Sequence, residues 1–478
     1  MNIKHFTIVL LTGAAALPAG ARIELPHIFT DNMVIQADTT AMLRGKATPE
    51  AEITVKSSWG AESHTKADRN GRWKTGLSTP APSYEPLWIS VHDNADRHSV
   101  TLGNILAGEV WIASGQSNMD MPLRGYWHQP VEGGGEEITL STSIGYGIRF
   151  LNIPRKTSYE PLDDFDAEWQ VSCPANSAEF SALAWFFAKY LRQIIDTPIG
   201  IINTAYGGSK VEGWVPEEIL SSYPEFNYQA EQADSTIQDW ERVGAMYNAM
   251  IHPIAPFTAR GFIWNQGESN VGRHDTYPAR QADMLKHWRK IWNNDSMQFY
   301  FVELPGWNYG DNLGIDAALF REAQHHAADI TPGAHIVCTS DLVYPDESDD
   351  IHARNKRDIG FRLAAAAATY SYGLQGIPHR YPTYRAVDLN GSKAVVSFND
   401  MWQGFTPNEN LEGFEVAGDD RVFHPAIAEI DRDGLTITVS SPDVADIKAV
   451  RYCFRNFAIG KIHDMLGMPI VPFRTDSW

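Results

Sequence analysis

Cysteine is scarce in this chain. Cys173, Cys338 and Cys453 are far apart and odd in number, which excludes a disulfide framework and a closely spaced cysteine pair that could ligate a metal. Cys338 lies in an apolar run and is expected as a buried core thiol; at most one bridge could join two of the three in an oxidising compartment. Positive charge is also short. There are 39 Lys and Arg against 59 Asp and Glu, a formal net charge of −20. Such a chain repels nucleic acid and anionic membrane at long range, so neither is an expected partner. After the first 21 residues no apolar run approaches a spanning length, and no membrane span is expected. Internal repeats and low-complexity segments are missing too.

What is present is an ordinary globular composition, 43% hydrophobic and 21% charged, with 15 Trp and 18 Tyr. Its length of 478 residues suits two or three domains. Lys4 and His5 precede an apolar run from Phe6 to Leu17, and Ala19-Gly20-Ala21 supplies small residues at a cleavage position. Residues 1–21 are therefore expected to be a signal peptide that directs export to the periplasm or the medium. Residues 22–105 show short apolar runs such as Ala51 to Lys56 and Leu87 to Val91, punctuated by turn signals, and no helical period. A small β-sandwich accessory domain is expected there.

Over 106–375 the pattern changes. Strand-like runs at 109–113, 149–153, 198–203, 261–264, 298–304 and 335–340 alternate with helical patterns at 181–195, 277–292, 315–329 and 355–371. That alternation predicts an α/β domain, a parallel sheet flanked by helices on both faces. Ligands of such sheets bind beyond the carboxyl ends of the strands. From 376 to 478 the chain is again strand-like, with runs at 394–398, 434–440 and 449–454, and a C-terminal β-rich region is expected.

Polar loops follow strands of the expected sheet. Ser114-Gly115-Gln116-Ser117-Asn118 puts a serine after a glycine that permits close approach, as a nucleophile needs; by itself it reads equally as a turn. Gly207-Gly208 can turn backbone N–H groups toward a ligand, as an oxyanion hole requires. In Gln266-Gly267-Glu268 the amide could donate to an oxyanion and the carboxylate could orient a histidine or hold an arginine. Asp349-Asp350-Ile351-His352 couples a histidine to nearby acids, the arrangement that holds one ring nitrogen and frees the other as a base. A metal site using His325, His326 and the acids matches no zinc spacing, so no metal is expected.

Taken in order, G-E-V-W-I-A-S-G-Q-S-N-M, I-I-N-T-A-Y-G-G-S-K-V-E-G-W, I-W-N-Q-G-E-S-N and D-D-I-H-A-R-N-K resemble the SGNH (GDSL-like) hydrolases. More closely they are similar to the sialate O-acetylesterase branch and its acetylxylan esterase relatives, and the resemblance runs through the whole chain beyond residue 21. It implies a flavodoxin-like sheet, Ser117 as nucleophile and His352 as general base. It also implies an oxyanion hole from the N–H groups of Ser117 and of Gly207-Gly208 together with the Gln266 side chain. The third member is implied at Asp350, with Asp349 and Glu268 as alternatives. Ala353 replaces the proline usual after that histidine, and Asn265 stands before Q-G-E where an aromatic residue is common. The expected substrate is an acetylated carbohydrate and no cofactor is needed. Two other readings are an acetylxylan or other plant-glycan esterase and a non-catalytic carbohydrate-binding protein. A sialate substrate carries a carboxylate, for which Arg124 and Arg321 are candidate partners.

Overall fold

The computed structural model describes residues 22–95 and 97–478; the expected signal peptide lies outside the described residues. At the centre the strands Ala334–Val337, Gln298–Val302, Gly261–Asn265, Ser99–Gly115, Ile199–Ala205 and Ile148–Asn152 lie side by side in that order, each parallel to its neighbour. The short strand Gln170–Val171 closes one edge antiparallel. Without the added edge strand Ile148–Asn152, the order is 2-1-3-4-5, the flavodoxin-like arrangement expected.

The middle strands read as unbroken apolar runs because both of their faces are covered. Every residue of Ile199–Ala205 and Gly261–Asn265 is buried. Successive side chains enter opposite cores. Val110, Ile112, Phe262, Trp264, Phe299 and Phe301 share one with Leu285, Trp288 and Phe320, from the helices Tyr277–Trp292 and Asp316–Ile330. Trp111, Ile263, Tyr300 and Val302 share the other with Phe186, Phe187 and Leu363, from the helices Ala182–Ile195 and Lys356–Tyr370. The last two helices pack closely at Gly360, where a Cβ would fall 2.5 Å from that of Phe186.

The amino-terminal region is built from strands, as expected, and passes into the central sheet without a linker. The single strand Ser99–Gly115 runs through both. Its first half pairs antiparallel with Ser83–Asp93 and its continuation pairs parallel with Val34–Gln36. Thr40–Lys46 and Arg72–Ser78 form a second, two-stranded layer.

Beyond residue 376 the sheet Thr383–Asn390, Lys393–Asn399, Thr436–Ser440, Ile427–Ile430 and the sheet Phe423–Pro425, Phe414–Ala417, Ala449–Tyr452, Phe473–Arg474 share a core that includes Val396, Val416, Val439 and Val450. This region is tied to the helix Asp316–Ile330, where the Ala317 N–H donates to Asn456 Oδ1 at 2.8 Å and Arg474 pairs with Glu322 at 2.8 Å. Cys173, Cys338 and Cys453 are all free thiols. No helix among the described residues is long and apolar enough to cross a membrane.

Candidate active site

The polar loops expected at the carboxyl edge do meet there. Gly115, the last residue of its strand, has φ +134°, and a Cβ would lie 2.1 Å from the Asn265 carbonyl oxygen. Only glycine can occupy that turn. The Gln116 N–H then donates to the same carbonyl at 2.9 Å, and Ser117 opens the short helix Ser117–Asp120. A residue that opens a helix has no helix carbonyl behind its N–H, which leaves the Ser117 amide without an intrahelical partner. The neighbouring strand aligns Ala205 with Gly115 and delivers the glycine turn. A Cβ on Gly207 would sit 3.6 Å from that of Ser117, and Gly208 has φ +79°.

His352 reaches this edge through several contacts. Asn118, next to the serine, donates from Nδ2 to the Ile351 carbonyl at 2.9 Å, one residue ahead of the histidine. The Tyr126 ring meets the imidazole edge-on, centroids 5.1 Å apart, and its hydroxyl lies 3.5 Å from the Ser117 carbonyl oxygen. Ser117 Oγ itself makes no hydrogen bond among the described residues, and His352 Nε2 is buried without a partner.

The other ring nitrogen is held by a residue the sequence did not single out. His352 Nδ1 lies 2.7 Å from Gln129 Oε1, and Gln129 Nε2 lies 2.7 Å from Asp350 Oδ1. An ionised carboxylate can only accept hydrogen bonds, so Asp350 must face the amide NH₂ of Gln129. That leaves the amide oxygen toward the imidazole, which puts the ring proton on Nδ1 and the lone pair on Nε2. Asp350 also accepts from the His352 backbone N–H at 2.9 Å. The acid therefore supports the histidine through an intervening glutamine. Nothing in sequence flagged Gln129, an amide in an exposed aromatic turn 223 residues from its partner.

The other candidates for the third member lie elsewhere. Asp349 is exposed and accepts from Asn308 Nδ2 at 3.4 Å. Glu268 is buried and bonded to Asn118 Nδ2, while Lys356 donates to Asn118 Oδ1. Asn118 thus clamps the serine, Q-G-E and histidine loops together. Gln266 has moved from its expected role as an oxyanion donor. Its Nε2 lies 2.7 Å from Asn270 Oδ1 and 3.2 Å from both Ser209 O and Gln116 Oε1. Three protein acceptors compete for two amide hydrogens, so none is left for a substrate oxygen; Gln266 braces the loops from beneath.

Burial, followed by the positive charge of Lys356, lowers the His352 pKa from its usual value to about 4, against the opposing pull of Asp350. Burial likewise lowers Lys356 to about 8 and raises Glu268. The imidazole therefore stays neutral, and competent as a base, well below the pH near 6.5 where a free histidine protonates. The acid limb of kcat/KM is expected to have its midpoint near pH 4, a value a pH–rate profile reads directly. As pH falls from about 6.5 toward 4 the unfolded chain takes up this proton before the folded one, so stability declines through that window.

Neither expected arginine is free near the serine. Arg321 is buried, 5% exposed, and donates to the carbonyls of Arg455 and Asn456. Arg124 pairs with Glu179 at 2.6 Å on the surface. The guanidinium that does stand at this edge is Arg155, beyond the strand Ile148–Asn152; it pairs with Asp120, which also accepts from the Tyr126 hydroxyl at 3.1 Å. Burial raises the Asp120 pKa. His325 lies 2.9 Å from Glu303, and among the described residues no group of three or more His, Cys, Asp or Glu could hold a metal ion.

A flavodoxin-like sheet with a serine turn, a glycine turn and a histidine loop at its carboxyl edge defines a hydrolase of the SGNH type. Residues 107–369 match the family model described as carbohydrate esterase, sialic acid-specific acetylesterase. The fold is similar to that of a carbohydrate acetylesterase from Xanthomonas citri, with TM-score 0.84 and 31% identity, covering 95% of this chain and 100% of that one. The sialate O-acetylesterase of Mus musculus is 24% identical over 468 residues, 86% of this chain and 85% of its own length. That of Homo sapiens is 24% identical over 432 residues, 84% and 80% respectively. The chain belongs to the carbohydrate esterase family of sialic acid-specific acetylesterases, within the SGNH hydrolases, and is an esterase.

Proposed function

We propose that the protein removes acetyl groups from sugar hydroxyls through an acetyl-enzyme on Ser117, with His352 as the general base. The observation that carries this reading is the state of the imidazole, which the Asp350–Gln129 relay holds through Nδ1 while leaving a buried, unpartnered Nε2. His352 Nε2 takes the Ser117 proton as Oγ attacks the acetyl carbonyl. The oxyanion is met by the N–H groups of Ser117 and of the Gly207-Gly208 turn. The imidazolium then protonates the departing sugar oxygen. Water, deprotonated by the same nitrogen, attacks the acetyl carbon and releases acetate, and Ser117 regains its proton. Asn118 keeps the contributing loops in register.

Sialate is the substrate named for the matching family and for the mammalian relatives, and we assign its carboxylate to Arg155, which pairs with Asp120 of the serine's own helix. A second reading, a neutral acetylated glycan such as xylan, is favoured by the pairing of Arg155 with Asp120, which leaves no net positive charge there. Acetate release from O-acetyl sialic acid and from acetylated xylan separates the two. For sialate, Arg155→Ala should raise KM roughly ten-fold or more, the worth of one charge-assisted hydrogen bond. No release from sialate, with full release from xylan, overturns the sialate reading. The pattern of residues 1–21 supports a site of action outside the cytoplasm.

A further inference from the structure

Tyr126 and Gln129 bridge to each other through backbone hydrogen bonds of 2.9 and 3.2 Å, making a tight turn with Trp127 and His128 at its tip. Both roots of the turn touch His352, Tyr126 by its ring and Gln129 by its amide. Trp127 at the tip is 85% exposed. Its ring has one aromatic partner among the described residues, His128, edge-on with centroids 4.8 Å apart. Such a contact restrains the indole and leaves a face open to water. A single exposed aromatic is common on protein surfaces; what sets Trp127 apart is its place at the tip of the turn whose roots contact His352. Trp127 follows Tyr126 directly in the chain, so a ligand resting on its ring is held by the same turn that contacts the base. At the glycine turn beside the serine, Trp240, 42% exposed, lies over Gly208, where a Cβ would fall 3.0 Å from its ring.

We infer that Trp127 is a stacking platform for a sugar ring adjoining the acetylated one. With Trp240 exposed at the glycine turn, it makes the preferred substrate an acetylated oligosaccharide chain, not a single acetylated sugar. This deepens the esterase reading and rests on it. The apolar C–H face of a pyranose matches an indole face, and stacking recruits it without charge, which suits a chain with net charge −20. The turn then has two jobs. Its roots orient His352, and its tip binds the leaving group's neighbour.

The test compares kcat and KM for an acetylated oligosaccharide and for the acetylated monosaccharide, taken from whichever of the sialate and xylan series releases acetate, with triacetin as the small aliphatic ester. The wild type should show a lower KM for the oligosaccharide than for the monosaccharide. Trp127→Ala should raise the oligosaccharide KM about ten-fold with kcat nearly kept, so the ratio of its kcat/KM to that on triacetin falls about ten-fold, as loss of a contact worth about 1.4 kcal/mol requires. Trp127→Phe should keep most of the ratio. An unchanged ratio in Trp127→Ala, or equal loss on both esters, overturns the platform. A wild type that cleaves triacetin but shows no preference for the oligosaccharide overturns the chain-length inference and leaves the esterase reading standing. A wild type inactive on every ester overturns that reading itself.

Discussion

Ser117→Ala is expected to lower kcat/KM on any acetyl ester by at least about 10⁴-fold while leaving the fold intact. The loss is large because the nucleophile, its base and the oxyanion donors act as one unit, so removing the attacking oxygen leaves the others nothing to serve. The fold should survive because Ser117 Oγ makes no hydrogen bond among the described residues and the side chain is only half-buried. An unchanged thermal midpoint together with a lost rate is the expected pair of readings. A variant that keeps the wild-type rate would remove Ser117 from the chemistry.

Gln129→Leu should be nearly as severe, lowering kcat by about 10²–10⁴-fold, because without the amide nothing fixes the imidazole tautomer. Leucine cannot accept from Nδ1–H or donate to Asp350, so the ring loses its acceptor and Asp350 keeps only the His352 backbone N–H. Gln129→Glu gives the sharper test. A carboxylate there would face Asp350 and the ring together, favour the imidazolium, and move the acid limb of kcat/KM upward from about 4. A residue that merely filled space would leave that limb in place. If neither variant changes rate or profile, Asp350 has no route to the histidine through this residue.

The sheet and its loops were legible in the sequence because their causes are local. Unbroken apolar runs such as Ile199 to Ala205 mark strands covered on both faces, and helical periods such as Tyr277 to Trp292 mark the layers that cover them. A serine, a glycine pair and a histidine, each following a strand, could be assigned to one edge from topology alone. The unit behind the histidine was less accessible. Asp350 stands two residues before His352 in sequence, yet it reaches the ring through Gln129, and no spacing rule connects an amide in one loop to an acid 221 residues later. Gln266 shows the converse. Its residue type suited an oxyanion donor, but whether an amide hydrogen is free depends on the neighbours, and here Asn270, Ser209 and Gln116 compete for them. Burial misled in the same way for Arg321, a guanidinium consumed by carbonyls of the carboxy-terminal region. Arg155, which does stand at the edge, lay in a loop with no motif of its own.

The serine mechanism at the centre of this account is tested most directly by the site of covalent inactivation. A fluorophosphonate reacts with an activated serine by attack of Oγ on phosphorus and loss of fluoride. One equivalent is expected to abolish acetate release, with the added mass on the peptide that contains Ser117 and no label in Ser117→Ala. Full activity after labelling, or a stoichiometric label on any other residue, would contradict it.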